Sequence, residues 1–442
     1  MQIYKAIKLR AYPSKTQIAL LNNHFGCVRF IYNYFLSYKT QQYKLTGKSA
    51  SFVQMSRELT KLKKLEEYSW LSEVSRQSLH HSLANLDKAY NNFFKKKAKF
   101  PKFKSKGHHK QSFSVGAFFC KVKATGVHLP LIGTIKCDIS LLPDDYKLLS
   151  ATVSKNASGK IFISLNIQTD MPDLIIDTTK PVIGIDFGIK TFITTSDGDK
   201  YEHPKPFRKY QLKLAKEQRI LARRKNGSKR RVKQKHRVAT VYEKITNIRQ
   251  DFLHKLSRKL VGENQAIYVE DLNLEQMKKR FGRSINDLGW AEFLRQLSYK
   301  GLWYGCEIEK IDRFFPSSKT CSKCGWVKQD LSLKDRAWEC PTCLTEHDRD
   351  INAAKNVLEY GRVDRNSRTG RATCSVNCEA QLEQTLSTHS QTRDIPVRAL
   401  INLRPCIHIK DTKEIPIIPA RLQHATSHLR DWTNSLSIQD RI

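Results

Sequence analysis

Two short apolar runs that each end in a carboxylate constrain this chain more than any other feature. Residues 182–185 are apolar or glycine and lead into Asp186, and residues 266–269 lead in the same way into Glu270. Runs of this kind are typical of strands buried on both faces. A carboxylate at the end of a buried strand is costly unless a positive group meets it, although one such Asp alone would suit a surface corner equally well.

A third acid, Asp350, opens a predicted helix and shares one face of it with Ala353, Ala354 and Val357. Small residues on that face would let the helix pack close to a sheet, and Gly184 leaves a strand backbone open to such an approach. Three convergent carboxylates suit two Mg²⁺ ions about 4 Å apart, which activate water for phosphodiester hydrolysis. An Asp at a helix start is more often only a cap, so convergence stays an expectation.

The excess of basic over acidic residues indicates which kind of partner this protein binds. The chain has 442 residues, with 78 Lys and Arg against 42 Asp and Glu, a net charge of +36. An excess of this size indicates a polyanion, most commonly nucleic acid. The sequence shows no apolar stretch long enough to span a membrane and no signal-peptide core at residues 1–8, so we expect an intracellular protein bound to nucleic acid and not to a membrane.

Two basic segments are the candidate nucleic-acid contacts. Residues 94–106 interleave phenylalanines with lysines, among them Lys102 and Lys104. Residues 208–237 carry 14 Lys or Arg and one acid, and these cations repel one another unless an anion neutralises them. A solvated basic surface is the alternative for both. The candidates in the second segment are Arg223, Arg224, Lys229, Arg230 and Arg231.

Four cysteines have the spacing of a structural metal site. Two CxxC pairs, Cys321 with Cys324 and Cys340 with Cys343, are separated by 15 residues. This spacing predicts a ribbon in which four thiolates close a tetrahedral zinc shell. His347 is nearby, but with four thiolates we expect it not to be a ligand. Eleven cysteines, an odd number, indicate a reducing compartment.

The first 170 residues predict helices set between strands. Residues 2–9 read as a strand, and a helix follows in which Ser14 and Gln17 form a capping box. A second helix is predicted over 75–97. Residues 149–153 and 161–167 read as a hairpin within a run of strands from 112 to 170. A small β-barrel interrupted by the helices would give the first strand a partner.

The sequence resembles the transposon-associated TnpB nucleases and their relatives, the miniature type V CRISPR effectors. The resemblance covers most of residues 1–360 and rests on motifs in a fixed order. The matching stretches are 7–13, 26–33, 85–94, 100–104, 184–190, 252–255, 269–273, 315–325 and 348–354.

The resemblance implies an α/β plus β-barrel architecture: a RuvC-type RNase H fold with an inserted zinc ribbon, preceded by a wedge β-barrel that a helical recognition lobe interrupts. The implied divisions are a wedge strand (1–13), the helical lobe (14–108), the wedge barrel (109–178), the main RuvC nuclease segment (179–315), the ribbon (316–344), which would bind the target nucleic acid, the final RuvC helix (345–360) and a tail (361–442). The tail is longer than the family's usual end, and we expect it to be disordered.

By the same resemblance Asp186, Glu270 and Asp350 are the catalytic carboxylates and the ligands of two Mg²⁺ ions, and Asp348 is the weaker candidate for the third. The enzyme would be an RNA-guided DNA endonuclease that acts on nucleic acid in the cytoplasm of a prokaryotic cell. A guide RNA from the transposon end would pair with double-stranded target DNA, while the protein reads a short adjacent motif. The candidates for motif reading are Arg76, Gln77, His80 and His81.

Two other functions stay open from sequence. A guided DNA-binding repressor would keep the scaffold without cleavage, and its relatives lose the carboxylates. An unguided RuvC-like nuclease would have no use for the long N-terminal module or for 14 cations in one stretch.

Overall fold

The N-terminal half is built on an antiparallel sheet whose central strand is the first in the chain. The structure is a computed structural model that describes residues 2–107, 111–170, 177–332 and 334–369. Ile3, Leu9 and Ala11 alternate inward along this strand, which pairs with a later strand over most of its length. The seven strands are β1 (Gln2–Tyr12), β2 (Gln111–Gly116), β3 (Lys121–Lys123), β4 (Gly126–Leu129), β5 (Gly133–Cys137), β6 (Lys147–Lys155) and β7 (Ile161–Asp170).

The strand order of this sheet is β2-β6-β7-β1-β5-β4-β3. The predicted hairpin is confirmed as β6 and β7, and β1 lies beside β7. The order ends at β2 and β3, so within the described residues the sheet is open. A closed barrel over 109–178 therefore stays a prediction.

Three helices share one hydrophobic core with this sheet. They are α1 (Lys15–Thr46), α2 (Phe52–Leu62) and α3 (Arg76–Phe94), with a 3₁₀ helix at Glu66–Glu73. Helices α1 and α3 contact β2, and α2 contacts α3. The predicted capping box is confirmed, since Ser14 accepts from the backbone N–H of Gln17 and the Gln17 side chain accepts from that of Ser14. Helix α3 ends three residues earlier than expected, and Phe94, its last residue, is 64% exposed.

A mixed sheet organises the second half. Its strands are β8 (Val182–Phe187), β9 (Ile193–Thr195), β10 (Lys200–Tyr201), β11 (Ala266–Glu270) and β12 (Glu307–Ile311), in the order β10-β9-β8-β11-β12. Strands β8, β11 and β12 run parallel, whereas β9 and β10 are antiparallel additions. Both predicted carboxylate-bearing strands are thus central and adjacent, and their carboxyl ends meet at the same edge.

Among the described residues, five helices complete this half. They are α4 (Pro206–Ala222), α5 (Lys229–Glu263), α6 (Leu274–Leu288), α7 (Trp290–Tyr304) and α8 (Arg349–Thr369). Between β12 and α8 the chain forms a small cysteine-rich lobe with β13 (Ala337–Glu339) and β14 (Glu346–Asp348). Helix α8 continues past residue 360, where the final helix was expected to end. The remainder of the predicted tail, 370–442, lies outside the described residues.

Helix α8 lies against β8 at a distance that only small residues permit. A Cβ atom added to Gly184 would lie 2.2 Å from the carbonyl oxygen of Ala354 and 2.5 Å from the backbone nitrogen of Leu358. Gly361 makes a similar approach to the ring of Tyr268 on β11. The expected close packing of this helix on the sheet is therefore present, and it fixes where the first turn of α8 lies.

The basic hairpin of α4 and α5 is attached to the first sheet through one acid. Glu243 on α5 accepts from Asn156 Nδ2 at 3.0 Å and from Ser158 Oγ at 2.9 Å, and it pairs with Lys160 at 3.0 Å. These three partners lie in and beside the β6–β7 turn. Because the Glu243 side chain is only 12% exposed, this cluster is a firm connection between the two halves.

Within the part of the chain that the structure describes, none of the helices is long and apolar enough to cross a membrane.

Replacing Gly184 by Ala should lower the free energy of unfolding by about 1–3 kcal/mol, because α8 must move away from β8 to admit a methyl group. Gly262→Ala is the matched control, since a Cβ there meets nothing within 4 Å. Thermal unfolding followed by differential scanning calorimetry compares the two. Equal midpoints for both variants would contradict the close packing described here.

Candidate active centre and zinc ribbon

Strand register brings the first two predicted carboxylates side by side. Ile185 on β8 pairs with Val269 on β11 in parallel, so Asp186 and Glu270, one residue further along each strand, leave the sheet together at its carboxyl edge. In parallel sheets this edge is where ligands bind.

Asp350 joins them from the first turn of α8. Burial raises the pKa of Asp186 well above its ordinary value, and the nearby charges of Glu270 and Asp350 raise it further. Burial also raises the pKa of Glu270, opposed by a hydrogen bond from Ser317. The structure thus places Glu270 and Asp350 close enough to Asp186 for their charges to act on it. In the described residues their oxygens do not all lie within 4.8 Å of one another, so the group is wider than the shell of a single ion.

Asp348 and Asp350 have different partners, since Asp350 Oδ1 lies 3.4 Å from Arg336 Nη1. The Asp348 carboxylate accepts from the backbone N–H groups of Asp350 and Ile351, at 3.0 and 3.2 Å, as a helix cap does. It also pairs with Lys200 at 2.6 Å. Burial alone would raise the pKa of Asp348, but the Lys200 hydrogen bond and the backbone donors lower it. Asp348 is therefore already satisfied by partners within the chain.

A hydrogen-bonded network that sequence reasoning missed holds Glu270 to α8. Ser317 Oγ donates to Glu270 Oε1, and the backbone carbonyl of Ser317 accepts from Asn356 Nδ2 at 2.7 Å. Asn352 and Asn356 both donate to the carbonyl oxygen of Thr320, at 2.7 and 2.6 Å. Asn352 and Asn356 stand at i and i+4 shortly after Asp350, and that spacing was the available signal.

The four predicted metal-ligating cysteines come together. Their sulfur atoms all lie within 4.8 Å of one another, with 3.6 Å between Cys321 and Cys343 and 3.5 Å between Cys324 and Cys340. Tetrahedral zinc with Zn–S distances of about 2.3 Å places sulfurs about 3.8 Å apart, so the cluster fits a zinc site. His347 is not one of this group, although its Nε2 lies 3.0 Å from the sulfur of Cys321 and its ring packs on Trp338.

The candidate motif-reading residues lie together on the first turns of α3. Arg76 is exposed, and its Nε donates to His80 Nε2 at 3.3 Å. His80 also contacts Ser56 of α2, and burial lowers the pKa of both His80 and His81. Gln77 lies beside Gly116 at the end of β2. The four residues thus share one surface next to the edge of the first sheet.

The two basic segments divide into exposed and structural residues. Lys102 is exposed, as are the rings of Phe100 and Phe103, at 46% and 60%. Lys104 instead lies 3.6 Å from the ring of Tyr32, and burial lowers the pKa of its ammonium group. Its surroundings favour a packing role over a phosphate contact.

The tip of the α4–α5 hairpin shows the same division. Arg231 Nη1 donates to the carbonyl oxygens of Leu221 and Arg224, at 2.7 and 2.8 Å, and so closes the end of α4. The other candidates at this tip are exposed: Arg223, Arg224, Lys229 and Arg230.

Family models match three regions of the chain. The model described as "Probable transposase" (OrfB_IS605) matches residues 167–280, and "Cas12f1-like, TNB domain" matches residues 290–357. A model described as "Helix-turn-helix domain" matches residues 1–48. In the structure that last region is strand β1 and the single helix α1.

Individual relatives match over nearly the whole chain. A Streptomyces pristinaespiralis protein named "Putative RNA-guided DNA endonuclease" is 38% identical over 406 residues, covering 90% of this chain and 98% of the relative. Coverage of 90% extends past residue 361, so some of the predicted tail has a counterpart there. "Putative RNA-guided DNA endonuclease InsQ" of Escherichia coli K12 is 29% identical over 380 residues, covering 82% of this chain and 94% of that protein.

Among solved structures, the mini-RNA-guided endonuclease CRISPR-Cas_phi3 matches with 10% identity and a TM-score of 0.43, over 81% of this chain and 92% of that one. The sequence matches are much stronger: 38% identity across almost the full length of a relative, together with the transposase model at residues 167–280. This chain belongs to the transposon-associated TnpB family.

Proposed function

We propose that this protein is an RNA-guided DNA endonuclease that hydrolyses phosphodiester bonds at Asp186, Glu270 and Asp350. The observation that carries the proposal is the meeting of these three acids at one edge of the second sheet, in a chain with a net charge of +36. The names of the relatives from Streptomyces and Escherichia coli support the same activity. A guided repressor or an unguided nuclease is left as an outcome of the experiment below.

The proposed fold assignment follows from the same elements. We assign the second sheet with α8 to a RuvC-type RNase H domain, with the zinc ribbon inserted between β12 and α8. The first sheet is assigned to the wedge, and helices α1–α3 to the recognition lobe. In support of this assignment, Asn352 and Asn356 of α8 both donate hydrogen bonds to the carbonyl oxygen of Thr320 in the ribbon. We therefore assign the ribbon to the nuclease domain rather than to the N-terminal half.

The three carboxylates fit a site for two Mg²⁺ ions. Burial and the charges of Glu270 and Asp350 hold the pKa of Asp186 well above its ordinary value, so a bound divalent cation would favour the ionised form of Asp186. Carboxylate oxygens are also the ligands that Mg²⁺ prefers. Bound Mg²⁺ would activate water and stabilise the leaving oxygen. Ser317 orients Glu270, and α8 carries Asp350 to the sheet.

The nucleic-acid contacts are proposed on exposed cations. The hairpin tip (Arg223, Arg224, Lys229 and Arg230) and the 94–106 segment would contact the guide RNA or its hybrid with target DNA. The α3 surface of Arg76, Gln77, His80 and His81 would read the short motif beside the target. The guide RNA itself would come from the transposon end.

One experiment separates the functions. The protein is purified from cells, the bound RNA is sequenced, and cleavage of double-stranded DNA matching that RNA is measured with and without Mg²⁺. Guided, Mg²⁺-dependent cleavage is expected. Guided binding without cleavage would favour the repressor, and cleavage without a defined RNA would favour an unguided nuclease.

Asp186→Ala should abolish cleavage while leaving RNA binding unchanged, because it removes a metal ligand without touching the basic surfaces. Asp348→Asn should cut at a rate within a few-fold of the wild type, since Asn preserves the helix cap. Single-turnover cleavage and copurifying RNA are the two measurements. If Asp348→Asn reduced the cleavage rate as much as Asp186→Ala does, Asp348 would belong to the catalytic site.

Ser317→Ala should raise the Mg²⁺ concentration needed for half-maximal cleavage by about 10–100-fold, the usual cost of losing an outer partner of a metal ligand. Ser318→Ala removes the neighbouring hydroxyl and serves as the control. Mg²⁺ titrations of the initial cleavage rate compare the two. Identical titration curves for Ser317→Ala and the wild type would remove Ser317 from the site.

The cysteine cluster should hold one zinc ion per chain, because four sulfur ligands close a tetrahedral shell. Cys340→Ser should lose that zinc and lower the stability of the ribbon. Cys306→Ser alters a buried cysteine outside the cluster and should retain the metal. Elemental analysis of the purified proteins by inductively coupled plasma mass spectrometry measures both, and zinc at full occupancy in Cys340→Ser would refute the assignment.

A further inference from the structure

A cleft with a volume of about 370 Å³ opens beside the proposed active centre. Its wall includes Ile189 and Lys190, which follow β8, together with the start of α4 and a portion of α6. Lys190 follows Asp186 by four residues, a span of at most about 14 Å even when fully extended. The cleft is therefore close to the carboxylates without including them.

The side chains around this cleft are strongly positive. Four cations line it, against one carboxylate, that of Asp287. Asp287 Oδ1 accepts from the backbone N–H of Phe207 at 3.2 Å and lies 3.9 Å from Arg249, so it is engaged with the first turn of α4. Burial raises the pKa of Asp287. The four cations are Lys190, Lys205, Arg208 and Arg283.

His203 supplies an independent indication that the cleft has a ligand. The residue is 4% exposed and forms a section of the cleft wall. Its Nδ1 accepts from the backbone N–H of Lys205 at 3.0 Å. Burial, with the charges of Arg249 and Lys205, lowers the pKa of His203 to about 4, so the ring is neutral at pH 7.

A neutral imidazole whose Nδ1 accepts a hydrogen bond carries its proton on Nε2. Nε2 is buried and has no hydrogen-bond partner among the described residues. Leaving a buried donor unpaired costs about 1–3 kcal/mol, so an acceptor supplied by a ligand would stabilise this N–H group. An N–H donor among unneutralised cations is suited to an oxygen anion.

We propose that this cleft binds a backbone phosphate of the nucleic-acid strand that is being cut, one or a few nucleotides from the scissile bond. The cations Arg208 and Arg283 hold the phosphate charge, and His203 Nε2 donates to one of its oxygens. Because the first turn of α4 is already capped by Asp287, the side chains rather than the helix backbone form the site. The residues position the strand and do not participate in the bond cleavage; the assignment rests on the proposed nuclease function.

The first test measures binding without cleavage. Protein as purified, with the RNA it carries, is titrated in EDTA with a short fluorescein-labelled oligothymidylate, and anisotropy is recorded at several salt concentrations. Arg208→Ala with Arg283→Ala should weaken binding by about tenfold and reduce the slope of log affinity against log salt by about 0.7 for one single-strand phosphate contact. Lys213→Ala with Lys216→Ala, on α4 outside the cleft, is the control. Equal losses in both double variants would overturn the proposal.

His203→Asn separates the hydrogen bond from the charge. The Asn oxygen can still accept from the Lys205 N–H, but the Nε2 donor is lost. Affinity should fall several-fold with the salt slope unchanged, because no charge is removed. A variant that unfolds at the same temperature as the wild type and binds equally well would exclude the His203 contact.

The second test uses cleavage. Single neutral methylphosphonate linkages are placed along the target strand of the guided substrate. For the wild type, one position outside the cut bond should slow cleavage by about tenfold, as expected for a lost charge-assisted contact. The Arg208→Ala with Arg283→Ala variant should show no further loss at that position. If the methylphosphonate and the double substitution slow cleavage independently, the cleft does not bind that phosphate. If no guided cleavage occurs at all, the proposed function is refuted, and the binding test alone decides whether the cleft binds a phosphate.

Discussion

The burial of Asp186 beside the carboxylates of Glu270 and Asp350 is the constraint on which the second half of the structure depends. Asp186 is held where burial and two neighbouring acids oppose its ionisation. Such an arrangement persists only if the backbone fixes the acids in place and a cation is available to neutralise them. Parallel strands provide the first two acids at adjacent positions with little freedom, because their register is set by the ladder between β8 and β11.

The position of Asp350 depends on a packing contact between residues that take no part in the proposed reaction. Helix α8 can reach β8 only because Gly184 has no side chain at the point where the carbonyl oxygen of Ala354 crosses it. The same helix uses Asn352 and Asn356 to hold the loop that positions Ser317 on Glu270 and that leads into the first CxxC pair. The cysteine cluster and the acids are thus connected through α8, which gives a physical reason for a cysteine-rich lobe immediately before this helix.

Local sequence patterns predicted the helices, strands and cysteine site well, but they predicted few of the side-chain contacts between distant parts of the chain. The capping box at Ser14, the β6–β7 hairpin and the cysteine cluster follow from short patterns whose partners lie close in sequence. The interactions that were missed join distant residues, as Ser317 does with Glu270. Lys104 was predicted as a nucleic-acid contact because its segment interleaves lysines with phenylalanines, and Arg231 because of the charge of its segment. The structure places Lys104 on the ring of Tyr32 and Arg231 at the end of α4, because local composition does not reveal which cations the fold already uses.

The distribution of charge explains how a strongly basic chain can keep an acidic centre. The acids of the candidate site lie at the edge of one sheet, while one group of exposed cations lies on the hairpin tip and another around the cleft beside α4. Glu243 is an acid within the basic hairpin, and it makes three contacts with the β6–β7 turn rather than neutralising the neighbouring cations. The hairpin is therefore anchored at its middle, and its tip keeps the charge that attracts a polyanion. A bound strand would meet positive charge on its way to the carboxylates, so the repulsion between its phosphates and the acids is offset before any metal ion is considered.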